Sequence, residues 1–150
     1  MNSTYWLIQP ACSLQKPASY LAWKDNDMTD ITRELVDAVG DAFNANDIDA
    51  VMQFFAADAT FDHAIGPDAH GVRFEGAEVI RSVFSGLFDK VENVSWETLD
   101  CAVTATKAYC EYRRTARHKD GTTEEYLSVD ILTFKDGLIV HKDTYYKQRT

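Results

Sequence analysis

Hydrophobic residues recur every three or four positions in the stretch that follows residue 28, which is the period of an amphipathic helix. The pattern predicts a first helix from about Thr29, with Thr29 or Asp30 as its N-terminal cap. Polar residues then interrupt the apolar stripe. A second helix is expected next, capped by Asn46 or Asp47 and with an apolar face that reaches Phe55, so that the two helices form a hairpin. A third helix is predicted at about 76–88.

The pattern between the second and third helices is that of an extended chain. Residues 59–65 predict a strand, Gly66-Pro67-Asp68 predicts a turn, and 72–74 predict a short extended piece. This stretch also carries His63, the first candidate for chemistry along the chain.

From about residue 91 the hydrophobic pattern changes to a period of two. The alternation predicts four strands, at about 92–103, 106–118, 123–134 and 138–147. Asp120-Gly121 and Asp136-Gly137 are hairpin signals, and the first allows either a two-residue or a three-residue loop, so the register of the 106–134 hairpin stays open. Helices followed by a strand meander predict an α+β fold, with three helices packed on one face of a curved, mostly antiparallel sheet.

Composition narrows the classes of protein that fit this pattern. A length of 150 residues favours one domain, and a hydrophobic share of 45% is enough for a core. No apolar run approaches the ~20 residues of a membrane helix. The net charge of −9 argues against a phosphate-backbone partner, which requires clustered Lys and Arg. We therefore expect no nucleic-acid and no membrane partner.

The three cysteines are Cys12, Cys101 and Cys110, and none lies in a Cys-x-x-Cys spacing. This argues against a disulfide framework or a zinc knuckle and favours a reduced, cytoplasmic protein.

Metal and cofactor motifs are also missing from the sequence. His63, His70, Asp62 and Asp68 lie close together, but without the spacing of metal ligands, so we expect no metal. Phosphate-binding loops and nucleophile elbows are absent, so we expect no cofactor.

The first 27 residues differ from the rest of the chain. Their apolar patch at 5–8 precedes the first basic residue, Lys16, which is the wrong order for a secretory signal. We expect residues 1–27 to be an extension upstream of a natural start at Met28, with the domain at 28–150. The alternative is an N-terminal arm that packs on the domain or on a partner.

A resemblance to a known family is carried by four segments: NDIDAV (46–51), FAADATF (55–61), FEGAEVI (74–80) and VDILTFKDGLI (129–139). In this order they resemble the NTF2-like superfamily, and within it the SnoaL-like proteins, over roughly 29–147. The resemblance implies a cone-shaped half-barrel with a pocket at its open end, and commonly a homodimer formed through the sheet. Members include isomerases, dehydratases, epoxide hydrolases, polyketide cyclases and non-enzymatic binders, so function has to be argued from the site.

The resemblance makes His63 and Asp130 the candidate catalytic residues. His63 matches the general-base Asp of the ketosteroid isomerases and Asp130 their protonated oxyanion-hole Asp, while Val39 stands where those enzymes have a Tyr. An imidazole can take or give a proton near neutral pH, and Asp130 could orient it or donate a hydrogen bond as a neutral acid. The alternatives are a packed core or rim histidine, and an exposed or salt-bridged sheet carboxylate.

The strand that holds Asp130 has two faces that compete for the interior. Ordinary amphipathicity would bury the face of Leu127, Val129 and Ile131. The resemblance instead turns the Asp130 face toward the pocket and covers the other face with a dimer partner.

Five further residues are predicted to bind substrate: Tyr112, Arg114, Lys142, Thr144 and Tyr146. Arg offers fixed donors to a carboxylate or enolate, and Tyr offers a hydroxyl with a flat apolar face. The Asp-Arg-Asp triad of the family's epoxide hydrolases is not reproduced at the matching Tyr112, Arg114 and Thr144. The alternative for the arginines of this strand is surface pairing with the abundant acids.

The sequence therefore predicts a pocket for a small hydrophobic molecule and cofactor-free acid–base chemistry of the isomerase, dehydratase or cyclase type. The substrate would be a carbonyl-containing or hydroxylated metabolite. The alternative is a non-catalytic ligand-binding or dimerisation module with the same fold.

Overall fold

The computed structural model describes residues 31–147. The predicted extension at 1–27, the predicted start at Met28 and the predicted caps Thr29 and Asp30 lie outside this range. Among the described residues, no helix is long and apolar enough to cross a membrane.

Within residues 31–147 the chain forms three helices: α1 (Arg33–Asn44), α2 (Ile48–Met52) and α3 (Ala77–Lys90). The first helix begins later than its apolar pattern predicts. Thr32 is extended and its hydroxyl accepts a hydrogen bond from the Leu35 amide at 3.2 Å, so Thr32 is the cap.

Of the two caps that the sequence allows for the second helix, Asn46 and Asp47, the structure has Asp47, whose carboxylate accepts from the amides of Asp49 and Ala50. The helix ends at Met52. The prediction that its apolar face reaches Phe55 is wrong, because Phe55 already begins the first strand.

The same part of the chain forms six strands: β1 (Phe55–Asp68), β2 (Gly71–Glu75), β3 (Val91–Val103), β4 (Lys107–His118), β5 (Thr123–Lys135) and β6 (Leu138–Tyr146). They make one curved, unclosed sheet in the order β2-β1-β6-β5-β4-β3. The β1–β6 pair is parallel and the other pairs are antiparallel. The predicted α+β architecture and the last four strands are confirmed.

The first strand is longer than the sequence predicts. The turn predicted at Gly66-Pro67-Asp68 is wrong, since these residues continue β1 and Asp68 pairs with Gly71 of β2. Pairing with β2 keeps this end of the strand extended, and the reversal falls on residues 69–70 instead.

The sequence allowed a two-residue or a three-residue loop between β4 and β5, and the structure has the three-residue loop. The His118 amide donates to the Thr122 carbonyl at 2.8 Å, and Gly121 has a φ of 86°. The resulting register places Tyr112 opposite Ser128 and aligns β4 with β5.

The core lies between the helices and the inner, concave face of the sheet. Phe84 of α3 packs against Phe43 of α1 and Phe61 of β1, with ring centroids 5.2 and 5.1 Å apart. These aromatic contacts hold the helices over the sheet, and space remains beside them.

Candidate functional site

A cavity of about 240 Å³ lies between α1, α3 and the inner face of the sheet. A cavity of roughly 150 Å³ is enough to hold benzene, so this space suits a molecule of one or two rings. Its wall is formed by eighteen residues: Val39, Gly40, Phe43, Phe61, His63, Phe84, Leu87, Trp96, Tyr112, Arg114, Glu124, Tyr126, Ser128, Asp130, Leu132, Lys142, Thr144 and Tyr146.

The cavity contains a closed polar network on its sheet side. Lys142 Nζ lies 2.6 Å from Asp130 Oδ2 and donates to Thr144 Oγ1 at 2.7 Å, and the Thr144 hydroxyl donates to Asp130 Oδ1 at 2.6 Å. Lys142 is 5% exposed and Asp130 is 8% exposed. Each charge is therefore paired where neither could be solvated.

The register between β5 and β6 brings the three residues of this network together. Asp130 of β5 lies directly opposite Thr144 of β6, and Lys142 is two residues away on the same face of β6. The Lys142 ammonium also lies 5.4 Å from the ring centre of Phe61 and 5.9 Å from that of Phe43. Two of its three N–H groups are used by Asp130 and Thr144, which leaves one for a ligand oxygen.

His63 lines the cavity from β1 and is anchored through one ring nitrogen. Nδ1 lies 3.3 Å from both the amide nitrogen and the carbonyl oxygen of Ile65. Among the described residues, none bonds to Nε2. The ring meets Tyr146 edge-on, with the centroids 6.0 Å apart.

The two Ile65 contacts suit both tautomers of the imidazole. When Nδ1 carries the proton it can donate to the Ile65 carbonyl, and Nε2 is then a base. When the Ile65 amide donates to Nδ1, Nε2 carries the proton and is an acid. His63 can therefore change its role without moving its ring.

A glycine permits the close strand pairing next to His63. Gly71 has a φ of 77°, and a Cβ at this position would overlap the His63 carbonyl oxygen. Only glycine accommodates both the left-handed backbone and this approach. The start of β2 is thereby held against the segment that carries His63.

A second polar group lies on the cavity wall, at the end of β4 and the start of β5. Arg114 lies 3.4 Å from Glu124, and the Tyr126 hydroxyl also donates to Glu124. The guanidinium is between two rings, 5.9 Å from the centre of Trp96 and 5.6 Å from that of Tyr126. Its plane is fixed by these contacts.

Tyr112 and Tyr146 contribute hydroxyls that stay neutral across the physiological range. Burial raises the pKa of Tyr112 far above its ordinary value, and the nearby Cys110 and Asp130 raise it further. Burial also raises the pKa of Tyr146. Both act as hydrogen-bonding groups and not as titrating ones.

All seven residues that the sequence singled out line this one cavity. They do not form one hydrogen-bonded set, because Asp130 bonds to Lys142 and Thr144 and not to His63. The suggestion that Asp130 orients His63 is therefore wrong for this structure.

The remaining charged residues of these strands lie on the other face. Asp62 is buried outside the cavity, where Arg73 contacts it with two bonds of 2.7 Å. Arg113 and Arg117 pair with Glu97 and Glu92, as the alternative interpretation of the arginines expects. Arg114 differs from both, because its side chain is 15% exposed and faces the cavity.

Sequence reasoning did not select Glu124 or Tyr126 as site residues. The signal was available in the alternation of β5, since Tyr126 and Glu124 lie four and six residues before Asp130 and therefore on the same face. Val39, at the position of the isomerases' Tyr, also lines the cavity and provides no hydroxyl.

Over residues 31–147, no group of three or more His, Cys, Asp or Glu side chains is arranged to hold a metal ion. The cationic groups of the cavity, Lys142 and Arg114, could instead receive an oxygen of an organic ligand.

Comparison with solved structures shows a shared fold. A hypothetical protein from Catenulispora acidiphila with a ketosteroid isomerase-like fold, in complex with trimethylamine, is 24% identical with a TM-score of 0.67, covering 78% of this chain and 88% of that one. A putative polyketide cyclase from Xanthomonas campestris is 25% identical with a TM-score of 0.63, covering 76% and 88%. A putative polyketide cyclase from Pseudomonas putida is 20% identical with a TM-score of 0.63, covering 76% and 90%.

No curated protein matches the sequence. The model of the SnoaL-like domain family matches residues 36–142, which is well over half of the 150 residues and reaches into β6 as far as Lys142. The chain therefore belongs to the SnoaL-like domain family and has the NTF2-like fold.

Proposed function

We propose that the cavity binds a small hydrophobic metabolite with a carbonyl or hydroxyl group and catalyses cofactor-free acid–base chemistry on it, of the isomerase, dehydratase or cyclase type. The observation that carries the proposal is an imidazole whose Nε2 has no hydrogen-bond partner within residues 31–147, in the same aromatic cavity as a buried ammonium. A proton carrier and a fixed positive charge are what enolisation of a carbonyl requires.

In this scheme His63 Nε2 takes a proton from the carbon next to the carbonyl and returns it at another position. The negative charge that develops on the carbonyl oxygen is met by the remaining N–H of Lys142. Asp130 and Thr144 are positioning residues, because they hold the ammonium through bonds of 2.6 and 2.7 Å. Lys142 thus supplies the stabilisation of the oxyanion that the resemblance to the ketosteroid isomerases assigned to Asp130.

The aromatic wall and the Arg114 group support the choice of substrate class. Phe43, Phe61, Phe84 and Trp96 offer flat apolar surface, and Arg114 and Tyr126 offer polar contacts at one end. The relative from Xanthomonas campestris, described as a putative polyketide cyclase, points in the same direction. A ligand with fused or linked rings and oxygens at its edge fits this wall.

The test is exchange of α-protons into heavy water, followed by NMR, with a panel of bicyclic aromatic ketones and diketones. We expect the protein to accelerate exchange and His63→Gln to reduce it by about 100-fold, the usual contribution of a positioned acid–base group. His70→Gln is the matched control, because His70 is exposed in the β1–β2 turn. Ketones that bind without accelerated exchange would contradict catalysis and favour the binding module.

The role of Lys142 requires a paired design. Lys142→Met alone leaves a buried carboxylate without its partner, so it is compared with the double variant Lys142→Met/Asp130→Asn. In both variants the rate of α-proton exchange is expected to fall by about 100-fold or more. The melting temperature of the double variant is expected to fall less than that of Lys142→Met alone. Lys135→Met, exposed at the end of β5, is the control.

A homodimer through the outer face of the sheet belongs to the same proposal. Three large apolar side chains are exposed on that face: Leu127 of β5 lies diagonally across from Tyr145 of β6, and Tyr109 of β4 lies opposite Ile131, four residues further along β5. A second copy of the chain would cover them without obstructing the cavity, which opens on the opposite face.

A further inference from the structure

Cys101 and Cys110 face each other across the β3–β4 ladder. They are direct partners in the antiparallel register, and both side chains point to the inner face of the sheet. Directly opposed residues have Cα atoms about 4.5–5.5 Å apart, which lies within the range of about 4.4–6.8 Å that disulfides span. The backbone therefore already has the spacing of a cross-strand disulfide.

The two thiols line a second cavity, separate from the one that holds His63. It has a volume of about 120 Å³ and lies between α1 and the sheet, with Val36 and Asn44 on its helical side. Cys101 is partly exposed there, whereas Cys110 is 1% exposed. A small oxidant can reach Cys101 through this space.

We propose that Cys101 and Cys110 are a modification site that hydrogen peroxide converts reversibly into an intramolecular disulfide. The Cys101 sulfur attacks a peroxide oxygen, the O–O bond breaks, and a sulfenic acid and one water form. The Cys110 sulfur then attacks the Cys101 sulfur, and the hydroxyl leaves with the Cys110 proton as a second water. Two thiols are oxidised by two electrons and one peroxide is reduced to two waters.

The environment of the pair assigns the order of the two steps. Burial raises the pKa of Cys110 to about 12, with the neighbouring Cys101 adding to the effect, so Cys110 stays a protonated thiol at neutral pH. A buried thiol of this kind is a poor first nucleophile, and the more exposed Cys101 reacts first. The second step is then the slower one, and it should accelerate as the pH rises.

The site is independent of the proposed acid–base function, which uses neither thiol. It nevertheless lies close to the larger cavity, because Cys110 is opposite Asp130 in the β4–β5 register and Tyr112 lines both spaces. A disulfide here would fix the part of β4 that carries Tyr112.

The experiment uses the full chain with Cys12→Ser, which leaves only Cys101 and Cys110. The folded protein is treated with hydrogen peroxide, free thiols are blocked with iodoacetamide, and the intact mass is measured. We expect the mass of one chain to fall by two hydrogen atoms with no alkylation. Dithiothreitol should restore two alkylatable thiols.

Trypsin identifies the bond directly, because Lys107 lies between the two cysteines. Cleavage should release the peptides 91–107 and 108–113 as one linked species, which separates on reduction. Cys101→Ser in the same background should give no such species. Should that variant fold poorly, a Cys110→Ser variant provides the same comparison.

Either of two results would overturn the proposal. One is a chain that gains oxygen atoms at Cys101 while Cys110 stays alkylatable. The other is a disulfide between two chains, seen as a covalent species of twice the mass.

Discussion

The carboxylate of Asp62 is 2% exposed on the outer face of the sheet, yet it is fully bonded. Arg73 donates to both of its oxygens at 2.7 Å, and His141 Nε2 lies 3.0 Å from one of them. The hydrogen bonds from Arg73, more than any other contact, hold the pKa of Asp62 below its usual value of 3.8, and those from His141 add to this. Sequence alternation put Asp62 outside the pocket, but its partners come from β2 and β6 and could not be foreseen.

This pKa predicts a pH-dependent contribution to stability. A depressed carboxyl pKa stabilises the folded state fully above the unfolded value, and the contribution is lost as the pH falls through the lower, folded value. Asp62→Asn should therefore cost about 2 kcal/mol at pH 7, the scale of charge-assisted hydrogen bonds, and progressively less below about pH 3.8.

Urea unfolding at pH 7 and at pH 3, on the wild type and the variant, measures the difference. Asp58→Asn is the control, because Asp58 is exposed on the same strand. A destabilisation by Asp62→Asn that is the same at both pH values would show that the charge of the carboxylate contributes nothing.

At the scale of elements, two asparagines connect the helical hairpin to the edge of the sheet. Asn46 Nδ2 donates to the Val94 carbonyl at 2.8 Å, and its Oδ1 accepts from the Val94 amide at 3.1 Å. Asn44 makes the equivalent pair of bonds with the backbone of Trp96, at 3.1 and 2.7 Å. Since β3 is an edge strand, these amides satisfy backbone groups that would otherwise be unpaired.

The asparagine at position 46 also has a φ of 54°, a conformation that Asn tolerates better than most residues. Asn46→Ala should lose both the backbone preference and the two bonds, at a cost of about 2–3 kcal/mol in the free energy of unfolding. Asn46→Gly keeps the backbone freedom and should lose only about 1–2 kcal/mol.

Thermal or urea unfolding of the two variants separates the contribution of the backbone conformation from that of the hydrogen bonds. Asn93→Ala is the control, because Asn93 is exposed on β3. Equal losses for the alanine and glycine variants would show that the backbone conformation contributes nothing. The sequence indicated a break and a helix cap in this segment. It gave no sign that the same asparagines would bind a strand about fifty residues away.

The molecule as a whole presents its cavity on one side of the sheet and an apolar patch on the other. The two faces of β5 illustrate this, since Asp130 and Leu132 face the cavity while Leu127 is exposed outside. Amphipathicity alone gave the wrong face here, because it favoured burying the face of Leu127.

We predict that the protein sediments as a dimer, with twice the monomer mass of 16.9 kDa. Leu127→Glu should place a charge in the shared face and give a species of 16.9 kDa, while its circular dichroism spectrum is unchanged. Val79→Glu, exposed on α3 and away from this face, should remain dimeric. A wild type that sediments as a monomer at micromolar concentration would remove the dimer from the proposal.

The sequence by itself determined the order of the elements and the α+β class. These properties follow from local rules, because hydrophobic period, capping residues and Asp-Gly turns act over a few positions. The same rules, combined with the family resemblance, selected the seven residues that now line one cavity.

Tertiary structure alone decided which of those residues touch. The register of β5 against β6 brings Asp130 to Lys142 and Thr144. His63 instead contacts the backbone of Ile65 in its own strand. The facing of Cys101 and Cys110 depends likewise on the register of β3 against β4. Register is fixed by the packing of the whole sheet against the helices and by the three-residue loop at Gly121. A one-residue slip would reverse the faces of every side chain involved.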